Sequence, residues 1–109
     1  MANTFKSYTS GSIGTTLTGV YTVGSATSSI ILGCSISNTH SSPIGGSIKL
    51  NKAAGSDDVF VVKQAPIPVG SSVEVMSGNK IVLNAGDAIE AQSDTASSLD
   101  IIVSTLEIT

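Results

Sequence analysis

Apolar residues in this chain recur at every second position, not at every third or fourth. Ser47-Ile48-Lys49-Leu50-Asn51 and Ser72-Val73-Glu74-Val75-Met76 alternate in this way, which is the period of a strand with one buried face. The stretch from Leu99 to Ile108 continues the pattern, with a double apolar step at Ile101-Ile102. No window of about ten residues keeps apolar positions at i, i+3, i+4 and i+7 without a Gly, a Pro or a β-branched cluster cutting it. Val, Ile and Thr dominate, as strands prefer. The pattern predicts strands over 4–9, 15–22, 28–38, 46–51, 59–64, 72–76, 80–84, 88–93 and 99–108. Such short strands at regular spacing, with turn residues between them, predict an all-β fold. The expected architecture is a two-sheet antiparallel β-sandwich, jelly-roll-like, of eight or nine strands.

The turns fit this reading. Met76-Ser77-Gly78-Asn79-Lys80 places Gly and Asn where a tight hairpin needs positive φ. Asn84-Ala85-Gly86-Asp87 predicts a second compact turn, in which Asp87 bonds neighbouring backbone N–H groups. Ala54-Gly55-Ser56-Asp57-Asp58 predicts a third. In Ala65-Pro66-Ile67-Pro68-Val69-Gly70 two prolines bar ladder donation, so this stretch reads as a crossover between sheets, with Ile67 anchored in the core. Ser, Thr and Gly crowd residues 7–14 and 24–29. Residues 1–12 are read as an extended N-terminal arm that reaches to a neighbouring subunit, and 13–109 as a single β-sandwich domain.

Composition changes the picture in one respect. The chain is 40% hydrophobic but only 12% charged, against about 25% charged in ordinary soluble domains. A surface so poor in charge suits a protein covered by neighbours. With no Arg, five Lys and a net charge of −3, no basic face for nucleic acid is expected, and no basic amphipathic segment for a membrane. The N-terminus lacks the basic start and apolar run of a signal peptide, so synthesis and assembly in a host cytoplasm are expected.

Candidate chemistry is sparse. His40, the single histidine, reads as a loop residue. No Gly-x-Ser-x-Gly elbow accompanies it. Cys34 lies within Ile30-Ile31-Leu32-Gly33-Cys34-Ser35-Ile36 and reads as a small core residue. Asp57-Asp58 is the one adjacent carboxylate pair; it reads as a solvated turn, well short of the oxygen ligands a hard cation takes. Glu74, Glu90 and Glu107 carry no mark of an acid–base pair. Pro43-Ile44-Gly45-Gly46-Ser47-Ile48-Lys49 lacks Walker spacing. No catalytic, cofactor-binding or metal residues are therefore assigned, and an enzyme is not expected.

The segment from Lys63 through Ala65-Pro66-Ile67-Pro68-Val69-Gly70-Ser71 and Gly78-Asn79-Lys80-Ile81-Val82-Leu83-Asn84-Ala85-Gly86-Asp87, followed by Leu99-Asp100-Ile101-Ile102-Val103-Ser104-Thr105-Leu106-Glu107-Ile108, resembles a group of small virion structural proteins of tailed phages. The resemblance covers the C-terminal three quarters of the chain, in the order and spacing of its motifs. It implies a non-enzymatic virion component that decorates or stabilises the capsid or neck. The expected partners are further copies of itself, as a trimer or ring, and other virion proteins such as major capsid or connector proteins. The alternative is a receptor- or carbohydrate-binding module at a tail tip or fibre, for which exposed aromatics are the expected mark.

Overall fold

The computed structural model describes residues 2–53, 57–76 and 78–109. Two of the turns read from the sequence, those at 54–56 and around Ser77, fall wholly or partly outside the described residues. Among the described residues nine strands run in chain order as β1 (Asn3–Ile13), β2 (Thr18–Thr22), β3 (Ser28–Asn38), β4 (Ile44–Asn51), β5 (Val59–Ile67), β6 (Ser72–Glu74), β7 (Ile81–Leu83), β8 (Ala88–Ser93) and β9 (Leu99–Ile108). They form two antiparallel sheets. The first is ordered β1-β9-β3-β6, with β7 also on β3; the second is β2-β8-β4-β5.

The chain passes back and forth between the sheets, and β9 returns to lie between β1 and β3. This is the wrapped strand order of a jelly roll, with one of its eight strands split into two. β6 pairs with Ser35–Ser37 of β3 and β7 with Ser29–Ile31. The all-β, two-sheet architecture expected from the alternation is thus present.

Alternation fixes which side chains form the core. On β9, Leu99, Ile101, Val103 and Thr105 are buried. On β3, Ser29 and Ile31 point inward. A register shift between Ile31 and Gly33 then resets the parity, so that Cys34 and Ile36 are buried in turn. Ile48, Ile67, Ile89 and Ala91 meet them from the second sheet. Each fully buried Ile or Leu contributes about 1.5–3 kcal/mol, so this layer supplies most of what holds the sheets together. Gly46 is required by the packing: a Cβ there would lie 2.8 Å from Ile36 Cδ1 and 3.0 Å from Ile67 Cδ1.

Two segments differ from the sequence reading. Over its described residues, the stretch read as an arm forms most of β1, which pairs with β9 of its own chain from Asn3↔Ile108 to Ser10↔Ile101 and continues past residue 12. Tyr8 and Ile13 pack inward and hold it there. β5 also runs further than expected, through Pro66 opposite Gly45 to Ile67. It is the edge of its sheet, where a missing N–H is tolerated. Ile67 is fully buried, as read, and the crossover to the first sheet follows it.

Candidate functional site

The strongest polar arrangement ties the sandwich together at one end. Asp87, 1% exposed, follows the turn residue Gly86 (φ 86°). One carboxylate oxygen accepts from Lys52 Nζ at 2.6 Å and from Asn84 N–H at 2.9 Å. The other accepts from Ala53 N–H at 3.0 Å. Burial alone would raise this carboxyl, but the lysine and the two N–H groups outweigh it and hold it at about 2. Both oxygens are bonded, so the group works as a clasp between the end of β4 and the turn before β8.

A second network lies where β1 and β2 approach each other. Glu107 Oε2 accepts from Tyr8 Oη at 2.6 Å and Tyr21 Oη at 2.7 Å. Tyr21 Oη also shares a hydrogen bond with Ser29 Oγ at 2.9 Å. The two rings stack with centroids 4.3 Å apart, and Lys6 Nζ stands 3.6 Å from Glu107 Oε1. The hydrogen bond to Glu107, with burial behind it, pushes the Tyr8 phenol up to about 12. Burial is the main cause that raises Tyr21. The two phenols lower Glu107 in return. These groups are committed to each other and link both sheets.

Of the residues singled out in the sequence, Glu107 belongs to this network; the others fall elsewhere, with Glu74 bonded to the backbone of Cys34. Cys34 is buried, and burial pushes its thiol up to about 12. His40 Nδ1 accepts from Ser42 N–H at 3.2 Å, while its own N–H donates to Asn38 Oδ1. Asp57 and Asp58 are exposed, and Asp58 Oδ1 accepts from Lys52 N–H. Glu74 accepts from the N–H groups of Cys34 and Met76, and Glu90 accepts from Asn51 Nδ2. No group of three or more His, Cys, Asp and Glu gathers among the described residues. A void between the sheets, walled by Ile31, Cys34, Ile48, Met76, Ile89 and Val103, has a volume of about 10 Å³. That is room for one water at most, against roughly 300 Å³ or more for a ligand pocket.

The most distinctive surface is the outer face of the first sheet. The register places Phe5 opposite Leu106, Leu106 opposite Ile30, and Ile30 opposite Val82. These four form one apolar row across β1, β9, β3 and β7. Its ends are open: Phe5 is 74% exposed and Val82 62%. The neighbouring rows, Asn3–Ile108–Ser28 and Ser7–Ser104–Gly33, carry no charge, and Ile102 adds a further exposed apolar side chain. The outer face of the second sheet is different in kind. There Lys49 pairs in register with Glu90, and the Phe60 ring carries Lys49 Nζ at 5.6 Å and Lys63 Nζ at 5.1 Å.

Neither the row nor the tyrosine–glutamate network is visible in the sequence alone. Each depends on which strands become neighbours, and pairs residues as far apart as Phe5 and Leu106. Both phenylalanines are exposed, which no local signal in the sequence marks. No known protein family, curated protein or solved structure matches the chain.

Proposed function

We propose that this chain is a non-enzymatic structural subunit of a tailed-phage virion, a jelly roll that associates with copies of itself and with capsid or connector proteins, and so decorates or stabilises the capsid or neck. The observation that carries the structural part is the uncharged apolar row Phe5–Leu106–Ile30–Val82 on a sheet face. Contiguous exposed apolar surface of this kind marks protein contact. The low charge of the chain supports the same reading. The virion setting rests on the resemblance over residues 63–87 and 99–108, and jelly rolls are a recurrent choice for capsid proteins, an argument by fold analogy.

The second reading, a receptor- or carbohydrate-binding module of a tail tip or fibre, is favoured by one feature: the exposed Phe60 ring flanked by Lys49 and Lys63. The test is the mass of the purified protein at micromolar concentration, by light scattering after size exclusion. The structural reading expects a discrete oligomer that Phe5→Ser and Val82→Ser weaken while Phe60→Ser leaves it intact. A monomer that binds glycans only while Phe60 is present would replace the first reading with the second.

A further inference from the structure

We propose that the open edge of β1 pairs antiparallel with the same edge of a second copy of this chain, about a two-fold axis at Ser7, joining the two first sheets into one. The proposal rests on the structural-subunit reading and adds an edge contact to the face contact read from the apolar row.

The hydrogen-bonding phase of β1 shows that the edge is available. Ala2 and Thr109 exchange both backbone bonds, N to O at 3.1 and 3.0 Å. Antiparallel ladders alternate bonded and non-bonded pairs. With the unbroken register from Asn3 to Ser10, Thr4, Lys6, Tyr8 and Ser10 therefore bond to β9. Asn3, Phe5, Ser7 and Thr9 turn their N–H and C=O groups away from it. β1 ends its sheet, and no strand among the described residues meets those groups.

The other three edges carry the devices by which proteins prevent strand addition. β2 has five residues and a register shift between Gly19 and Tyr21. β5 carries Lys63, Pro66, two register shifts and Gln64 at φ 56°. The fourth edge is split into β6 and β7, of three residues each. β1 has eleven residues and no proline; its own register shift and the positive φ of Ser12 lie past Ser10, and its single charge, Lys6, is directed at Glu107.

The sequence of β1 suits a copy of itself. Opposed residues in an antiparallel pair share a face, so the two residue numbers of each self-pair sum to an even number. The axis at Ser7 sets Phe5 against Thr9, Lys6 against Tyr8 and Asn3 against Gly11, with no like charges opposed. Of the two neighbouring registers, the axis at Lys6 sets Lys6 against Lys6, which is unfavourable, and the axis at Tyr8 sets Phe5 against Gly11, in the irregular end of the strand. At the Ser7 axis each exposed Phe5 ring gains Thr9 of the other copy as a cross-strand neighbour, and the apolar rows of both copies lie on the same side of the joined sheet. A self-complementary contact of this kind is the usual form of a homodimer.

Two variants test the contact. Ser7→Pro removes an N–H that β9 does not use, so the fold should persist by circular dichroism while the dimer dissociates at micromolar concentration. Ser7→Cys should cross-link to itself under mild oxidation, because a bonded antiparallel pair has Cα atoms about 5.5 Å apart, within disulfide range. Ser10→Cys should not, being offset by six residues, about 20 Å. A dimer, or an even-numbered oligomer, with this cross-linking pattern is the expected result. A trimer, or an oligomer that Ser7→Pro leaves intact, overturns the edge pairing but leaves the structural-subunit reading standing. A monomer at every concentration, with no Ser7→Cys product, overturns the edge pairing together with self-association.

Discussion

Replacing Asp87 by asparagine keeps the side chain's shape and removes its charge. In the folded protein the carboxyl sits at about 2, against an ordinary value of 3.8. At about 1.4 kcal/mol per unit, that difference stabilises the fold by roughly 2.5 kcal/mol at neutral pH. The amide adds a second cost. Three donors converge on Asp87, from Lys52, Ala53 and Asn84, and the NH₂ group must face one of them. A buried donor left without an acceptor costs about 1–3 kcal/mol. Asp87→Asn is therefore expected to lose about 3.5–5.5 kcal/mol, a large share of a domain's typical 5–15. In urea, with a slope of about 2 kcal/mol/M, the unfolding midpoint at pH 7 should fall by roughly 1.8–2.8 M. The pH dependence has a defined sign. A depressed carboxyl contributes fully above its unfolded value near 3.8 and loses that contribution as pH falls towards 2. The gap between wild type and variant should then narrow between pH 4 and pH 2. A midpoint shift below about 0.5 M, or a gap that stays constant down to pH 2, would refute the reasoning.

Three further outcomes are expected. Gly46→Ala should destabilise by about 1–3 kcal/mol in the same urea assay, since its Cβ meets Ile36 and Ile67 at 3.0 Å or less; an unchanged midpoint would show that the core yields. In ultraviolet titration neither phenol should ionise at the ordinary value near 10, and Tyr8 should do so at about 12. Because the Tyr8 value is raised on folding, the stability it carries is intact below pH 10 and lost as pH rises through 12; Tyr8→Phe should remove the step near 12. Cys34 should react with a thiol reagent only after denaturation, because it is buried and its thiol is pushed up to about 12; rapid labelling of the native protein would contradict its place in the core.

The strands were legible because alternation is a local signal. β3, β8 and β9 begin and end where the alternation does, and Ile67 and Cys34 are buried as their apolar contexts imply. β1 was read as a strand only over 4–9, inside an arm, because the Ser, Thr and Gly around it carry little hydrophobic contrast. What extends it to Ile13 is Tyr8 and Ile13 packing on the core and β9 pairing beside it. The strand end read at Gln64, ahead of Pro66, failed for a similar reason: whether a proline ends a strand depends on whether its N–H faces a neighbour, and β5 is an edge. Asp87 was read as a turn residue bonding nearby N–H groups, as it does with Asn84. Its ion pair with Lys52, 35 residues away, follows from topology and leaves no trace in sequence spacing.

The position of β9 has a consequence for how the protein is made. It follows all the other described strands in sequence, yet it lies between β1 and β3. During synthesis β1 emerges before β2 to β8 and waits for all of them before its partner appears. Until Leu99 to Ile108 emerge, β1 has no partner strand and β3 has only the short β6 and β7, so the first sheet closes only after every strand of the second has emerged. Such non-local closure is slow and leaves strand edges open meanwhile. A stall or truncation before Leu99 would release a chain with its first sheet missing its centre, and that chain should aggregate rather than fold.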